Sequence, residues 1–117
     1  MRVIIAGGRD FADYKLLEER LDYYLARVAL STVTIISGAA FGADSFGIRY
    51  AEDREMECIK MPAEWNTHGK RAGYLRNVEM AKVATHLVAF WDGESRGTKH
   101  MIDIAAKEKL PTRIVYY

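Results

Sequence analysis

The residue types able to do chemistry gather in four short segments: Gly7-Gly8-Arg9, the run from Ser37 to Asp44 (SGAAFGAD), Arg76-Asn77, and Ser95-Arg96-Gly97-Thr98. Glycine lets a backbone turn sharply and lets another molecule come close. Gly38 and Gly42 bracket the second segment, and the spacing predicts a helix starting near Ala43. Backbone N–H groups at a helix start lack partners and carry partial positive charge. An anion held there gains about 0.3–1 kcal/mol, and up to about 2 when sheltered. Phosphate is the natural guest, with the Ser37 hydroxyl as an added donor and Ala40 on the same loop. Arg9, Arg76 and Arg96 can clamp phosphate oxygens bidentately. Plainer roles compete with each of these. The glycines can serve only a tight strand-to-helix turn, Ser95 or Thr98 can simply cap a helix, and any one arginine can be solvated.

Asp44 sits where a helix N-terminus favours a carboxylate, and it can also accept bonds from ribose hydroxyls. Asp10, Glu64, Glu79 and Asp92 are further carboxylates within reach of the same loops. Trp65 and Trp91 can stack on a base, with core packing the plainer role for Trp91. If the chain does catalysis, Asp44, Glu64 and Arg76 are its candidate groups. There is no Walker A motif, no G-x-G-x-x-G and no G-x-S-x-G. His68, His86 and His100 lack metal-ligand spacing, and Cys58 stands alone, so neither a metal nor a cofactor is expected.

These residues need a scaffold. A length of 117 residues suggests one domain over 1–117, and 50% hydrophobic residues allow a real core. A net charge of +1, from 17 basic and 16 acidic residues, argues against bulk-charge coating of nucleic acid or membrane. No apolar run reaches the roughly 20 residues of a membrane span. The apolar start is too short for a signal peptide, so a cytoplasmic protein is expected.

Apolar runs at 2–6, 32–36, 57–61, 85–91 and 112–117 read as strands. Helices are expected over about 13–28 with Asp13 as N-cap, 42–54, 71–84 and 97–109; residues 62–70 read as a loop. In the third helix, Tyr74, Val78 and Ala81 are spaced for burial. Continuous rather than alternating apolar strands imply cover on both faces. The expected fold is therefore α/β: a Rossmann-like three-layer sandwich with a five-stranded parallel sheet in order 3-2-1-4-5 and helices on both faces. Ligands in such sheets bind at the carboxyl ends of the strands, near the reversal of strand order. The glycine-bearing loops after strands 1, 2 and 4 meet at that edge.

The segments GGRDF (7–11), SGAAFGAD (37–44), AGYLRN (72–77) and SRGT (95–98) resemble the SLOG superfamily, which groups DNA-processing DprA proteins with LOG cytokinin-activating phosphoribohydrolases. The resemblance covers nearly the whole chain and is strongest to the small stand-alone YspA-like branch. It implies a single nucleotide-ligand-binding domain. DprA proteins carry a similar Ser-Gly-x-Ala-x-Gly-x-Asp loop. LOG enzymes have an arginine four residues before a methionine, as at Arg76 and Met80, and also Gly-Thr-x-x-Glu. Here Gly97-Thr98 is followed by Lys99, His100 and Met101, so methionine stands at the LOG catalytic glutamate position.

The leading expectation is thus a protein that binds a nucleotide-derived small molecule (a nucleoside phosphate, an ADP-ribose-like compound or a nucleotide signal) and senses or sequesters it. The ligand contacts are expected from Gly7, Gly8, Arg9, Ser37, Gly38, Ala40, Gly42, Asp44, Trp65, Arg76, Asn77, Ser95, Arg96, Gly97 and Thr98. An N-glycosidic hydrolase of the LOG kind is the second reading, with Asp44 or Glu64 replacing the missing glutamate. A DprA-like single-stranded DNA module is the third, supported by Lys60, Lys70, Arg71, Arg76 and Lys82 within 60–82. No membrane partner is expected, and self-association into a homo-oligomer is compatible with all three.

Overall fold

The computed structural model describes all 117 residues. In chain order the elements are β1 (Arg2–Gly7), α1 (Tyr14–Tyr24), β2 (Thr34–Ser37), α2 (Ala43–Asp53), β3 (Glu57–Lys60), α3 (Trp65–His68), α4 (Ala72–Val83), β4 (His86–Trp91), α5 (Arg96–Lys107) and β5 (Thr112–Tyr116). Single 3₁₀ turns occupy Leu30–Thr32 and Gly69–Arg71. The five strands form one sheet in order β3-β2-β1-β4-β5. Every pairing is parallel, with Ile4 of β1 opposite Ile36 on one side and Leu87 on the other. The sheet is therefore Rossmann-like, and all its strands end at one edge. No helix is long and apolar enough to cross a membrane.

β1 shows why an unbroken apolar run forms a central strand. Its side chains alternate between two cores, and both need filling. Val3 and Ile5 pack with Leu17, Leu21, Tyr50 and Phe90 on one face. Ile4 and Ala6 pack with Met80, Leu87 and Met101 on the other. α1 starts at its expected cap, where the Asp13 carboxylate accepts the Leu16 N–H at 3.0 Å. It stops at Tyr24 rather than near residue 28. No glycine or proline ends it; Val28 and Leu30 instead turn back onto the core. α1 and α2 are tied by a polar cluster in which Tyr50 Oη and Arg54 both donate to Asp22, and Arg54 also donates to Glu18.

Three expectations need correction. β3 is not covered on both faces: α2 packs on it, but Ile59 stays 42% exposed at the sheet edge. Residues 62–70 are not wholly a loop, because α3 and the following 3₁₀ turn begin there. On α4, Tyr74 is exposed and Val78 only half-buried, whereas Asn77 is buried.

Candidate functional site

The carboxyl edge carries a cleft of about 460 Å³, within the roughly 300–1,000 Å³ usual for small-molecule sites. Its floor and walls come from the ends of β1 and β4 and the starts of α2, α4 and α5. Three cations, Arg9, Lys70 and Arg76, and three carboxylates, Asp10, Asp44 and Asp92, line it.

The loop after β2 explains its own small residues. Gly42 has φ +77°, and a Cβ there would run into the Gly8 carbonyl oxygen. That carbonyl accepts N–H bonds from Phe11 at 3.2 Å and Ala43 at 3.3 Å, which locks the first and second loops together. Ser37 is fully buried. Its hydroxyl donates to the Asp44 carbonyl at 2.8 Å and accepts the Ala39 N–H at 3.1 Å. The Ala40 N–H donates to the Asp44 carboxylate at 3.3 Å. The amides of Ala39, Ala40 and Ala43 are thus engaged inside the chain. Ser37, Gly38 and Gly42 lie outside the cleft lining and shape the loop behind it; Ala40 and Asp44 face the cleft.

Gly38 makes room for Arg76. A Cβ at residue 38 would collide with the guanidinium, and the Gly38 carbonyl accepts from Arg76 Nη1 at 2.6 Å. Arg76 Nε donates to Asn77 Oδ1 at 3.1 Å, and Nη1 lies 4.0 Å from the Asp44 carboxylate. Both partners of this pair are largely withdrawn from solvent. Burial pushes the Asp44 carboxyl up to about 6, against the pull of Arg76, the Ala40 amide and Arg9. Burial likewise disfavours the charge on Arg76. Asn77 reaches the fourth segment: its amide nitrogen donates to the Gly97 carbonyl and lies on His100 Nδ1, each at 3.2 Å. That contact is why a polar residue occupies a buried position on α4.

We expect Gly38→Ala to displace the guanidinium while leaving the sheet intact. Any ligand affinity that depends on Arg76 should fall about tenfold, the equivalent of one hydrogen bond to a charged group, with the far-ultraviolet circular dichroism unchanged. Unaltered affinity would show that the position of Arg76 does not matter.

At the fourth segment Ser95 caps α5, its hydroxyl accepting the Thr98 N–H at 3.5 Å. Asp92 shapes the preceding turn by accepting the N–H groups of Glu94 and Ser95, each at 2.8 Å; these bonds hold its carboxyl below the usual range. Ser95, Gly97 and Thr98 line the cleft. Arg96 is exposed and lies outside the lining, so it does not join Arg9 and Arg76. Met101, at the LOG glutamate position, is buried and contributes an apolar patch of cleft wall.

Gly7, Gly8, Arg9 and Trp65 also line the cleft. Trp65 is 48% exposed, and the Arg9 guanidinium carbon lies 5.5 Å from its ring centroid. Glu64 points away from the cleft, 71% exposed and 3.7 Å from His68 Nε2. Glu79 pairs with Lys82 on the outer surface. Trp91 is structural: it donates to the Ser95 carbonyl at 3.1 Å and packs on Tyr116. Several lining residues lie outside the expected ligand contacts; among them Lys70 was singled out only for the DNA reading and Tyr74 only for burial. Tyr74 stands edge-on to His100 with ring centroids 4.6 Å apart. The signal that this stretch turns toward the cleft is the pair of glycines, Gly69 and Gly73, that breaks it.

Residues 1–68 match the family described as YAcAr, the YspA, cpYpsA-related SLOG family. The chain is 34% identical over 116 residues to the Gene 61 protein of Mycobacterium phage D29, covering 94% of this chain and 92% of that one. Its fold is similar to DNA processing protein A from Helicobacter pylori, a structure described for its unique single-stranded DNA binding mode. The TM-score is 0.73 at 19% identity, and the match takes in 97% of this chain but 64% of the other.

Proposed function

The chain belongs to the YspA, cpYpsA-related SLOG family, and from that premise we propose that its carboxyl-edge cleft binds a nucleotide-derived small molecule. The phosphate lies between Arg9, Lys70 and Arg76, the ribose hydroxyls meet Asp44, and the base stacks on Trp65. One observation carries this reading: an Asp44–Arg76 pair largely withdrawn from solvent lines the same cleft as a half-exposed tryptophan. The balance of three cations and three carboxylates supports a small ligand with hydroxyls and one or two phosphates. A polyanion would meet those carboxylates repeatedly.

A second reading, a DprA-like single-stranded DNA module, has its own support. The solved protein similar in fold is described as binding single-stranded DNA. In addition Phe41, Trp65 and Tyr74 are exposed by 83%, 48% and 44%, and Lys70 and Arg71 are exposed nearby. Exposed rings beside cations suit stacked bases. Hydrolysis of an N-glycosidic bond has the least support, because Glu64 faces solvent and Met101 replaces the LOG acid. It would rest on Asp44 alone.

The test is calorimetric titration with nucleoside 5′-monophosphates, ADP-ribose and a short oligothymidylate, with Trp65 fluorescence as a second signal. Saturable binding of a mononucleotide at about 1–100 μM, with shallow salt dependence, is expected. Oligonucleotide binding that weakens steeply with salt, with no mononucleotide binding, would favour the DNA reading. Failure of every ligand would reject both. Release of free base by the native protein, abolished in Asp44→Asn, would make it a hydrolase.

A further inference from the structure

We propose a second ligand site at the opposite, amino edge of the sheet: a groove that takes a small amphipathic anion, with a carboxylate or phosphate head on an apolar body. The groove, about 910 Å³, opens between the carboxyl end of α1 and the first residues of β4 and β5. Its depth reaches the core residues Val3, Leu25 and Val88. Tyr24 forms one wall, with the Arg113 guanidinium carbon 5.7 Å from its ring centroid. Arg27 stands on the rim beside Tyr23, which is 74% exposed.

The charge pattern selects the ligand. The charged side chains lining the groove are Arg27 and Arg113; none of its 13 lining residues is aspartate or glutamate. Neither arginine forms an ion pair elsewhere in the chain. The carboxyl-edge cleft is different, since its cations and carboxylates balance. Two unpaired guanidiniums beside apolar walls attract an anion more strongly than they would in open water, because the walls lower the local dielectric. The carboxyl end of α1 works against this with a partial charge of about −0.5. That is less than the two full positive charges. Its last carbonyls are also occupied, as those of Leu21, Tyr23 and Leu25 accept from Leu25, Ala26 and Val28. The apolar depth requires that the anion carry a hydrophobic body, and Tyr24 gives that body a flat face to lie against.

The site is independent of the nucleotide cleft, and so is its test. Decanoate, below its micellar concentration, is titrated into the isotope-labelled protein and followed by amide shifts. Decylamine is the control, with the same body and the opposite head. Saturable shifts confined to residues 23–27, 86–88 and 111–113 are expected. Affinity for decylamine should be at least about tenfold weaker. The exposed pair Arg27→Glu and Arg113→Glu should reverse that preference, and if it folds poorly, Arg113→Gln alone should still weaken decanoate severalfold. Equal binding of both probes, or shifts centred on residues 70–77, would overturn the proposal. So would co-sedimentation with phosphatidylglycerol vesicles while decanoate moves no amide, since that would make the surface a lipid-headgroup contact instead.

Discussion

Arg76→Ala is expected to weaken nucleotide binding by at least about a hundredfold and to lower stability by about 2–4 kcal/mol. The guanidinium ties the loop after β2 to α4 and to the start of α2. It bonds the Gly38 carbonyl, bonds Asn77, and faces Asp44. Truncation leaves the Gly38 carbonyl without this donor and Asp44 with the Ala40 amide alone. Breaking a buried ion pair by removing one partner costs about 3–5 kcal/mol. Asp44 can relieve part of that cost by taking a proton, since its carboxyl already titrates near 6. The loss measured by urea denaturation should therefore be smaller at pH 5 than at pH 8. Arg76→Lys separates charge from geometry. A lysine ammonium keeps the positive charge but cannot span the Gly38 carbonyl, the Asn77 amide oxygen and Asp44 as a planar fork does. It should recover part of the stability and little of the affinity. Wild-type affinity in Arg76→Ala would remove the guanidinium from the ligand's contacts.

What was legible in the sequence follows from what hydrophobic patterning reports. Runs such as Val3–Ala6 and Leu87–Phe90 must be buried on both faces, so a parallel sheet with covered faces was readable. Parallel strands put the loops after β1, β2 and β4 on one edge, so their convergence was readable as well. Polar burial was not. A helical repeat places Tyr74 inside as readily as Asn77. Only the partner across the cleft, the Gly97 carbonyl, decides in favour of the asparagine. Ser37 has the composition of a ligand donor, yet its hydroxyl is turned inward to hold the loop at Asp44. Glu64 and Asp44 were equal candidates on paper. One lies on an exposed turn and the other at the buried start of α2, a difference set by tertiary contacts. A four-residue helix such as α3 has too few positions to show a period.

Asp44→Asn is expected to stabilise the protein at neutral and alkaline pH while weakening nucleotide binding. In the folded chain the carboxyl is raised from its ordinary 3.8 to about 6, with burial the largest cause and Arg76 the strongest opposing one. A carboxyl that holds its proton more tightly when folded favours the folded state most where it is protonated. Its contribution is fully present below about pH 3.8 and is lost as pH rises through about 6. The displacement corresponds to about 3 kcal/mol. Asparagine keeps the shape and stays neutral at every pH. Wild type and variant should therefore unfold alike at about pH 3, whereas at pH 8 the variant should be more stable by about 2–3 kcal/mol. Because other carboxylates titrate in both proteins, the difference between their urea denaturation curves is the quantity to plot against pH. Binding should move the other way. An ionised carboxylate accepts hydroxyl bonds worth about 1.5–3 kcal/mol, so replacing it should cost about ten- to a hundredfold in nucleotide affinity at pH 8. A residue that weakens the fold where it strengthens binding is the stability–activity conflict expected of a site group. If the variant is less stable at pH 8, Asp44 is a structural helix-start carboxylate whose attraction to Arg76 outweighs its burial. If stability rises but affinity is unchanged, the ribose is held elsewhere in the cleft.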